Sequence, residues 1–324
     1  MGKSHKRRRL EIANLIVRFG KSELLDFAAE IVVPALTDDT LERAVSDGSI
    51  LICDSGMTEV RVDSSVFNVV YGRIVKDTEL RREQVLDRNR RKVIKKSGRL
   101  SSAPSAVFAL ILENHKLVYV HETAHSPTLK AFENTIKDFI VRKHKKYSKS
   151  LNGRGAPAFP SVELIPLASE RSLAEFLDLF SVLKKVDIQL LTPNNEIDND
   201  EFFAKARAHR ARVGADKTRI IHTSTAGLDK EATAKELGQA AAEANTKITV
   251  SGTDAAGDRL TGDNANFQAT AQIVVEENSP PAEVAGIAVQ KAAEMAEMKV
   301  IKPASWLAEP GSKVRGVLAK LRNS

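Results

Sequence analysis

Residues 106–147 read AVFALILENHKLVYVHETAHSPTLKAFENTIKDFIVRKHKKY. Two strand-like apolar segments, Ala106–Leu112 and Lys116–His121, flank a polar turn and predict a β-hairpin. Ser126 and Pro127 follow, and a serine cap before a proline indicates the start of a helix. That helix has apolar residues at helical spacing, namely Leu129, Phe132, Ile136, Phe139, Ile140 and Tyr147. The stretch therefore predicts a long helix that packs against a hairpin.

Strand and helix signals alternate outside this stretch, most regularly in the second half of the chain. Strand-like segments lie at 162–167, 186–191, 219–222 and 247–251, with helical segments at 173–183, 201–212 and 230–244 between them. Such alternation is typical of proteins whose helices cover a sheet that is at least partly parallel. The sequence predicts an α/β fold, with α+β as the alternative, in which helices pack on mixed sheets.

A break in composition divides the chain near its middle. Residues 148–161 read SKSLNGRGAPAFPS, which is rich in the Gly, Pro, Ser and Asn residues that favour loops. The chain has 324 residues, enough for two domains at roughly 150 residues each. We therefore expect a basic α+β domain at 1–150, a linker at 151–161 and an α/β domain with a partly parallel sheet at 162–324.

The single cysteine, Cys53, cannot form an internal disulfide, which favours a reducing compartment. Apolar runs are of strand length, well short of the roughly 18 residues that a membrane helix needs. The basic N-terminus is followed by a short apolar run that polar residues interrupt, so no secretory signal is expected. These features predict a cytoplasmic protein of prokaryotic type that does not bind membranes.

The net charge of +7 is distributed unevenly along the chain. Residues 1–160 contain 29 basic and 19 acidic side chains, whereas residues 161–324 contain 20 and 23. The basic excess therefore belongs entirely to the first half. Excess positive charge of this kind favours an anionic partner, either a nucleic-acid backbone or an acidic protein.

Three short segments carry most of this excess, and Lys and Arg side chains bind phosphates by releasing condensed counterions. The candidate nucleic-acid-binding residues are Arg7, Arg8 and Arg9, then Arg81, Arg82, Arg88, Arg90, Arg91, Lys92, Lys95 and Lys96, then Arg142, Lys143, Lys145, Lys146 and Lys149. Two simpler roles for these charges stay open: cations stabilise the C-terminus of a helix, and surface charge keeps proteins soluble. Few aromatic residues are available to stack on bases, so a single-strand platform is not favoured.

Residues 121–125 spell His-Glu-Thr-Ala-His, the pattern by which zinc proteases place two His ligands on one helix face. Here the preceding residues are strand-like, and the predicted helix begins only after the second histidine. The pattern therefore favours a strand that ends in a loop, and we predict neither a metal nor another cofactor. His121, Glu122 and His125 are kept as minor catalytic candidates.

The leading interpretation is a non-catalytic protein that contacts DNA or RNA phosphates through its basic segments. One alternative is a metal-dependent nuclease or other hydrolase that uses His115, His121, Glu122 and His125. A second alternative is a scaffold or regulatory subunit of a multi-protein complex, for example in phage defence, with an acidic protein partner. Homo-oligomers and hetero-oligomers are both compatible with the sequence.

Overall fold

The first strand, β1 (His5–Phe19), is buried along most of its length. Between Leu10 and Phe19 its residues are apolar on both faces except for Glu11, Asn14 and Arg18. A continuous apolar run of this kind is typical of a strand that is covered on both sides of its sheet. The packing agrees, because Leu15 and Val17 belong to the core on one face while Ile12 and Ile16 belong to the core on the other.

The computed structural model describes residues 4–152, 155–192, 201–215, 217–298 and 311–322. Its larger sheet has ten strands: β1, β2 (Ser22–Glu23), β3 (Glu42–Val45), β4 (Gly48–Val62), β5 (Ser65–Asp87), β6 (Lys92–Ser102), β7 (Ser105–Ile111), β8 (Lys116–His121), β9 (Pro160–Pro166) and β14 (Thr270–Glu276). The smaller sheet has four: β10 (Val182–Leu190), β11 (Thr218–Thr223), β12 (Thr246–Thr253) and β13 (Arg259–Asp263).

The larger sheet runs in the spatial order β14-β1-β8-β7-β5-β4-β3, with β2 and β9 also paired to β1 and β6 paired to β5. The smaller sheet runs β11-β10-β12-β13. On one edge, β1 pairs with β8, and on the other it pairs first with β14 and then with β9. One strand therefore joins the two ends of the sequence into a single sheet.

Helices cover both faces of the larger sheet. The helices of the described residues are α1 (Val33–Thr37), α2 (Leu129–Ser150), α3 (Glu170–Leu177), α4 (Glu201–Arg212), α5 (Lys230–Glu243), α6 (Pro281–Glu297) and α7 (Ser312–Arg322). Short 3-10 and π-helical turns at Leu24–Phe27 and Ala28–Val32 lead into α1. Core residues of α1, α2 and α7 lie on one face of the sheet, and those of α6 lie on the other. A third core packs α3 and α5 against the smaller sheet.

The predicted hairpin and long helix are confirmed, as is the mixed α/β class with helices packed on two sheets. The prediction of a partly parallel sheet is wrong, since every strand pairing among the described residues is antiparallel. A helix between two strands gives a parallel pair only when it returns the chain to the starting end of the first strand. Alternation in the sequence does not reveal that direction.

Some strand pairings cross the expected boundary between residues 1–150 and 162–324. Strands β9 and β14 come from the second of these regions, yet both pair with β1. The loop-like composition at 151–161 marks the connection from α2 to β9 within one sheet, and the smaller sheet is confined to residues 182–263. No helix among the described residues is long and apolar enough to cross a membrane.

This architecture predicts that cleavage of the α2–β9 connection leaves the two pieces associated. A protease site inserted at the exposed Gly155 and cut in the folded protein should give two fragments that co-elute on size exclusion, because two backbone ladders still join them through β1. Separation of the fragments under native conditions would contradict this placement of the second half.

Candidate functional site

Antiparallel pairing brings three sequence segments to one end of the larger sheet. The start of β1 lies beside the end of β8, because Leu10 pairs with Val120. His121 pairs with Ala106 at the start of β7, and Ala106 pairs with Ile74 of β5. β5 then continues past this end of the sheet. We call it the arm end, after the extension that leaves from it.

Glu122 ties these strands together at the arm end. Its Oε1 atom lies 3.1 Å from Arg8 Nη1, and its Oε2 atom lies 2.8 Å from Arg73 Nε. The hydroxyl of Ser105 also donates to Oε2, at 2.7 Å. The Arg8 and Glu122 side chains are only 6% and 8% exposed, so this carboxylate neutralises a buried guanidinium. Burial raises the pKa of Glu122, but the hydrogen bonds and charges of its partners outweigh this and keep the pKa below its usual value.

The His-Glu-Thr-Ala-His segment begins at the last residue of β8 and continues into a loop, as the sequence predicts. β8 ends at His121, and α2 begins at Leu129 with Thr128, rather than the predicted Ser126, as its N-cap. No helix passes through residues 121–125, so the two histidines do not share a helix face. Glu122 is engaged by two arginines and His125 is exposed, which removes the zinc-protease arrangement.

His115 does not join the other hydrolase candidates. It lies in the β7–β8 turn at the opposite end of β8, about 20 Å along the strand from His121. It is buried, and this burial, with the charge of Lys116 nearby, lowers the pKa of His115 to about 3. Within the described ranges, no group of three His, Cys, Asp or Glu side chains is placed to hold a metal ion. A site built from His115, His121, Glu122 and His125 is therefore not assembled.

A cavity of about 860 Å³ opens at the arm end, between the two sheets. Its walls come from the start of β1, the loop after β8, the first turn of α2, β9, β12 and the connection from β13 to β14. Polar residues on these walls include Arg7, Glu11, His121, Ser126 and Gln268. Sequence reasoning did not locate this cavity, because its walls are far apart in the chain.

The arm is the part of the β5–β6 hairpin that extends past the sheet, residues 79–102. Up to Thr78, β5 pairs with β4, and beyond it the described pairing is with β6. Asp87 holds the turn at the tip, since its Oδ1 accepts from the backbone of Asn89 and Arg90 at 3.0 and 3.1 Å. Arg91 has a positive φ of 50°, which completes the reversal.

The surface of the arm is both basic and apolar. Its 24 residues include nine basic and three acidic side chains. Two cross-strand apolar pairs, Leu80 with Leu100 and Leu86 with Val93, lie on one face of the ribbon. All four side chains are exposed, from 49% for Leu80 to 67% for Leu100. An apolar surface of this kind, left uncovered on a two-stranded ribbon, indicates a contact surface.

The predicted phosphate-binding residues lie on the arm, at the start of β1 and at the end of α2, and one of them, Arg8, is buried. On the arm, the exposed candidates are Arg88, Arg90, Arg91, Lys92, Lys95 and Lys96, while the side chains of Arg81 and Arg82 lie outside the described residues. In β1, Arg7 is exposed and Arg9 lies 2.9 Å from Glu11. Arg8 differs from the expectation of a phosphate contact, because its guanidinium is buried against Glu122 and is not available to a ligand.

The third basic segment lies away from the arm end. His144 of α2 stacks on Phe19, at the far end of β1 and about 35 Å along that strand from Arg8. Lys145, Lys146 and Lys149 are exposed in the last turns of α2. Two further candidates are used within the protein, because Lys143 pairs with Asp38 and Arg142 pairs with Asp138, 2.6 Å away. The three segments therefore do not form one surface.

Glu122→Gln tests the charge balance at the arm end. The variant should lower the free energy of unfolding by about 3 kcal/mol at pH 7, because it leaves a buried arginine without its countercharge. Since folding lowers the pKa of Glu122, its contribution is present above the usual value of 4.5 and is lost as the pH falls below it. The difference from wild type in urea unfolding should therefore shrink in acid.

Glu79→Gln is the matched control for that measurement. Glu79 also pairs with an arginine, Arg99 at 3.1 Å, but its side chain is 53% exposed. Removing an exposed pair of this kind should change stability by less than about 1 kcal/mol. Equal losses in the two variants would contradict a special role for Glu122.

A family model described as a domain of unknown function, DUF4747, matches residues 55–281. The match begins within β4 and ends at the first residue of α6. It includes the arm, the loop after β8 and the walls that the second half contributes to the cavity. No curated protein matches the chain.

Proposed function

The chain belongs to the DUF4747 family, and we propose that it binds nucleic acid through the arm, with the sugar–phosphate backbone as the main contact. The observation that carries this proposal is the arm itself, a two-stranded ribbon that extends from the sheet with nine basic side chains. The cavity and the buried Glu122 pair are not part of this contact surface.

Charge supports a phosphate ligand. Arg88, Arg90 and Arg91 occupy the turn at the tip, where their side chains are exposed. The acidic residue beside them, Asp87, is occupied in part by backbone amides and lies 3.9 Å from Arg90. Each cation that neutralises a phosphate releases condensed counterions, so a few such contacts give salt-sensitive binding.

Shape favours a duplex over a single strand. A two-stranded β-ribbon fits the major groove of B-DNA, which is about 12 Å wide. The exposed pairs Leu80–Leu100 and Leu86–Val93 would then meet sugars and thymine methyl groups, while basic residues reach the phosphates on either side. The sequence of the arm contains no aromatic residue, so the ribbon does not resemble a stacking platform for single strands.

Fluorescence anisotropy with a duplex of about 20 base pairs tests the proposal. Replacing Arg88, Arg90 and Arg91 together by Ala should weaken binding at least tenfold at low salt. The slope of log K against log salt should become shallower by about 0.9 for each phosphate contact that is lost. The wild-type affinity should itself fall steeply with salt.

The triple variant Lys145→Ala, Lys146→Ala and Lys149→Ala is the matched control. It also removes three exposed charges, but from the end of α2, about 35 Å from the arm end along β1. Its affinity should stay within about twofold of wild type. Equal weakening by both triple variants, or no binding by wild type at low salt, would overturn the proposal. Copurification of an acidic protein that resists nuclease treatment would instead favour the scaffold alternative.

A further inference from the structure

Ser126, His121 and Glu11 adjoin one another on the wall of the cavity, although they come from a loop and two different strands. The Oγ atom of Ser126 lies 2.6 Å from Nδ1 of His121. On the other side of the ring, Nε2 lies 3.2 Å from Oε1 of Glu11, which is an ion-pair distance without the geometry of a hydrogen bond. A hydroxyl, an imidazole and a carboxylate in this order form the arrangement that activates a serine nucleophile.

The position of Glu11 favours one tautomer of the neutral ring. Neutral imidazole carries its proton on one nitrogen and accepts a hydrogen bond at the other. The negative charge of Glu11 near Nε2 favours the tautomer with its proton on that nitrogen, and in this tautomer Nδ1 accepts a hydrogen bond from Ser126. The serine hydroxyl therefore donates to Nδ1, and His121 is in position to take its proton.

Each member of the triad is held by its surroundings. Glu11 is 4% exposed, and its Oε1 atom accepts a hydrogen bond from Gln268 Nε2 at 3.0 Å and lies 2.9 Å from Arg9 Nη2. The ring of Tyr119 packs edge-on against His121, with centroids 5.2 Å apart. The backbone N–H of Ser126 donates to the carbonyl of Thr123, which closes the turn that presents the hydroxyl. Such fixed orientation is what a nucleophile needs before substrate arrives.

The first turn of α2 supplies the electrostatics for the reaction. Thr128, Leu129 and Lys130 line the same cavity as Ser126. The free backbone N–H groups and the dipole of a helix N-terminus stabilise negative charge in front of them. Because the start of α2 and Ser126 line the same cavity, the helix dipole favours negative charge that develops there.

We propose that Ser126, His121 and Glu11 form a hydrolytic site for carboxylic esters. Ser126 Oγ adds to the ester carbonyl carbon, and its proton passes to Nδ1 of His121. The C–O bond to the alcohol then breaks, the alcohol oxygen takes that proton, and an acyl group stays on Ser126. Water next adds to the acyl carbon through the same base, which releases the carboxylic acid and restores the serine.

The walls of the cavity indicate the class of ester. The lining mixes apolar residues such as Leu129 and Ile165 with charged ones such as Arg7 and Lys247, which favours a small acyl group over a long hydrocarbon chain. The volume of about 860 Å³ is in the range of small-molecule sites. The inference is independent of nucleic-acid binding by the arm, since it uses none of the arm residues.

A fluorophosphonate carrying a reporter group tests this site in the full-length protein. This probe forms a covalent bond only with activated serines, and peptide mass spectrometry identifies the labelled residue. We expect a label on Ser126 that is absent in Ser126→Ala and at least about tenfold slower in His121→Ala and Glu11→Gln. Ser105→Ala is the control, because that hydroxyl donates to Glu122 and not to a histidine, so its labelling rate should match wild type.

Thermal unfolding of each variant separates loss of chemistry from loss of folding, and Glu11→Gln keeps the shape of the buried side chain. Hydrolysis of p-nitrophenyl butyrate should follow the same order of variants as labelling. Failure to label Ser126 in the folded wild type, or labelling that persists without His121, would overturn the triad. Cleavage of bis(p-nitrophenyl) phosphate without cleavage of the butyrate ester would overturn the proposed substrate class.

Discussion

The burial of β1 on both faces and both edges is the constraint on which the rest of the fold depends. Its alternate residues enter two different cores, and its edges pair with strands from both halves of the chain. Removing any of these partners would leave backbone groups and apolar side chains exposed to water. Because β1 fixes where each neighbour begins and ends, it also fixes that the cavity and the base of the arm share one end of the sheet, about 14 Å apart across three strand spacings.

The charges at the arm end explain why the protease-like pattern at residues 121–125 has a structural role. Glu122 is the buried countercharge of Arg8 and Arg73, so its carboxylate is already engaged and is not free to act at a metal site. His121 lies instead between Ser126, 2.6 Å from its Nδ1 atom, and Glu11, 3.2 Å from its Nε2 atom. That the protein is non-catalytic stays a prediction, and it conflicts with the hydrolytic site proposed for carboxylic esters. From the sequence, Arg8 and Arg88 are grouped together as phosphate-binding candidates. The structure distinguishes them, because Arg8 is buried and Arg88 is exposed.

Local sequence patterns predicted the helices and strands well. They did not show which distant strands pair with one another. The hairpin of β7 and β8 and the helix α2 follow from the spacing of apolar residues over 106–147, and the structure confirms them. The pairing of β14 with β1 joins residues more than 250 positions apart, and no composition signal marks it. The basic segment at 81–99 was visible as charge, but its ribbon shape depends on the register between β5 and β6. The sequence indicated only a helix cap at Ser126. Its place in a cluster with His121 and Glu11 could not be predicted, because Glu11 comes from β1, which is distant in the chain.

Hydrogen–deuterium exchange with and without duplex DNA tests most directly the claim that the arm end is the functional end of this fold. Backbone amides of residues 79–102 should gain protection when the duplex is added, while those in the last turns of α2, near Lys149, should be unchanged. In the free protein, the amides of β1 should exchange slowest, because the strand is bonded on both edges. Protection at the end of α2 with none on the arm would contradict the account.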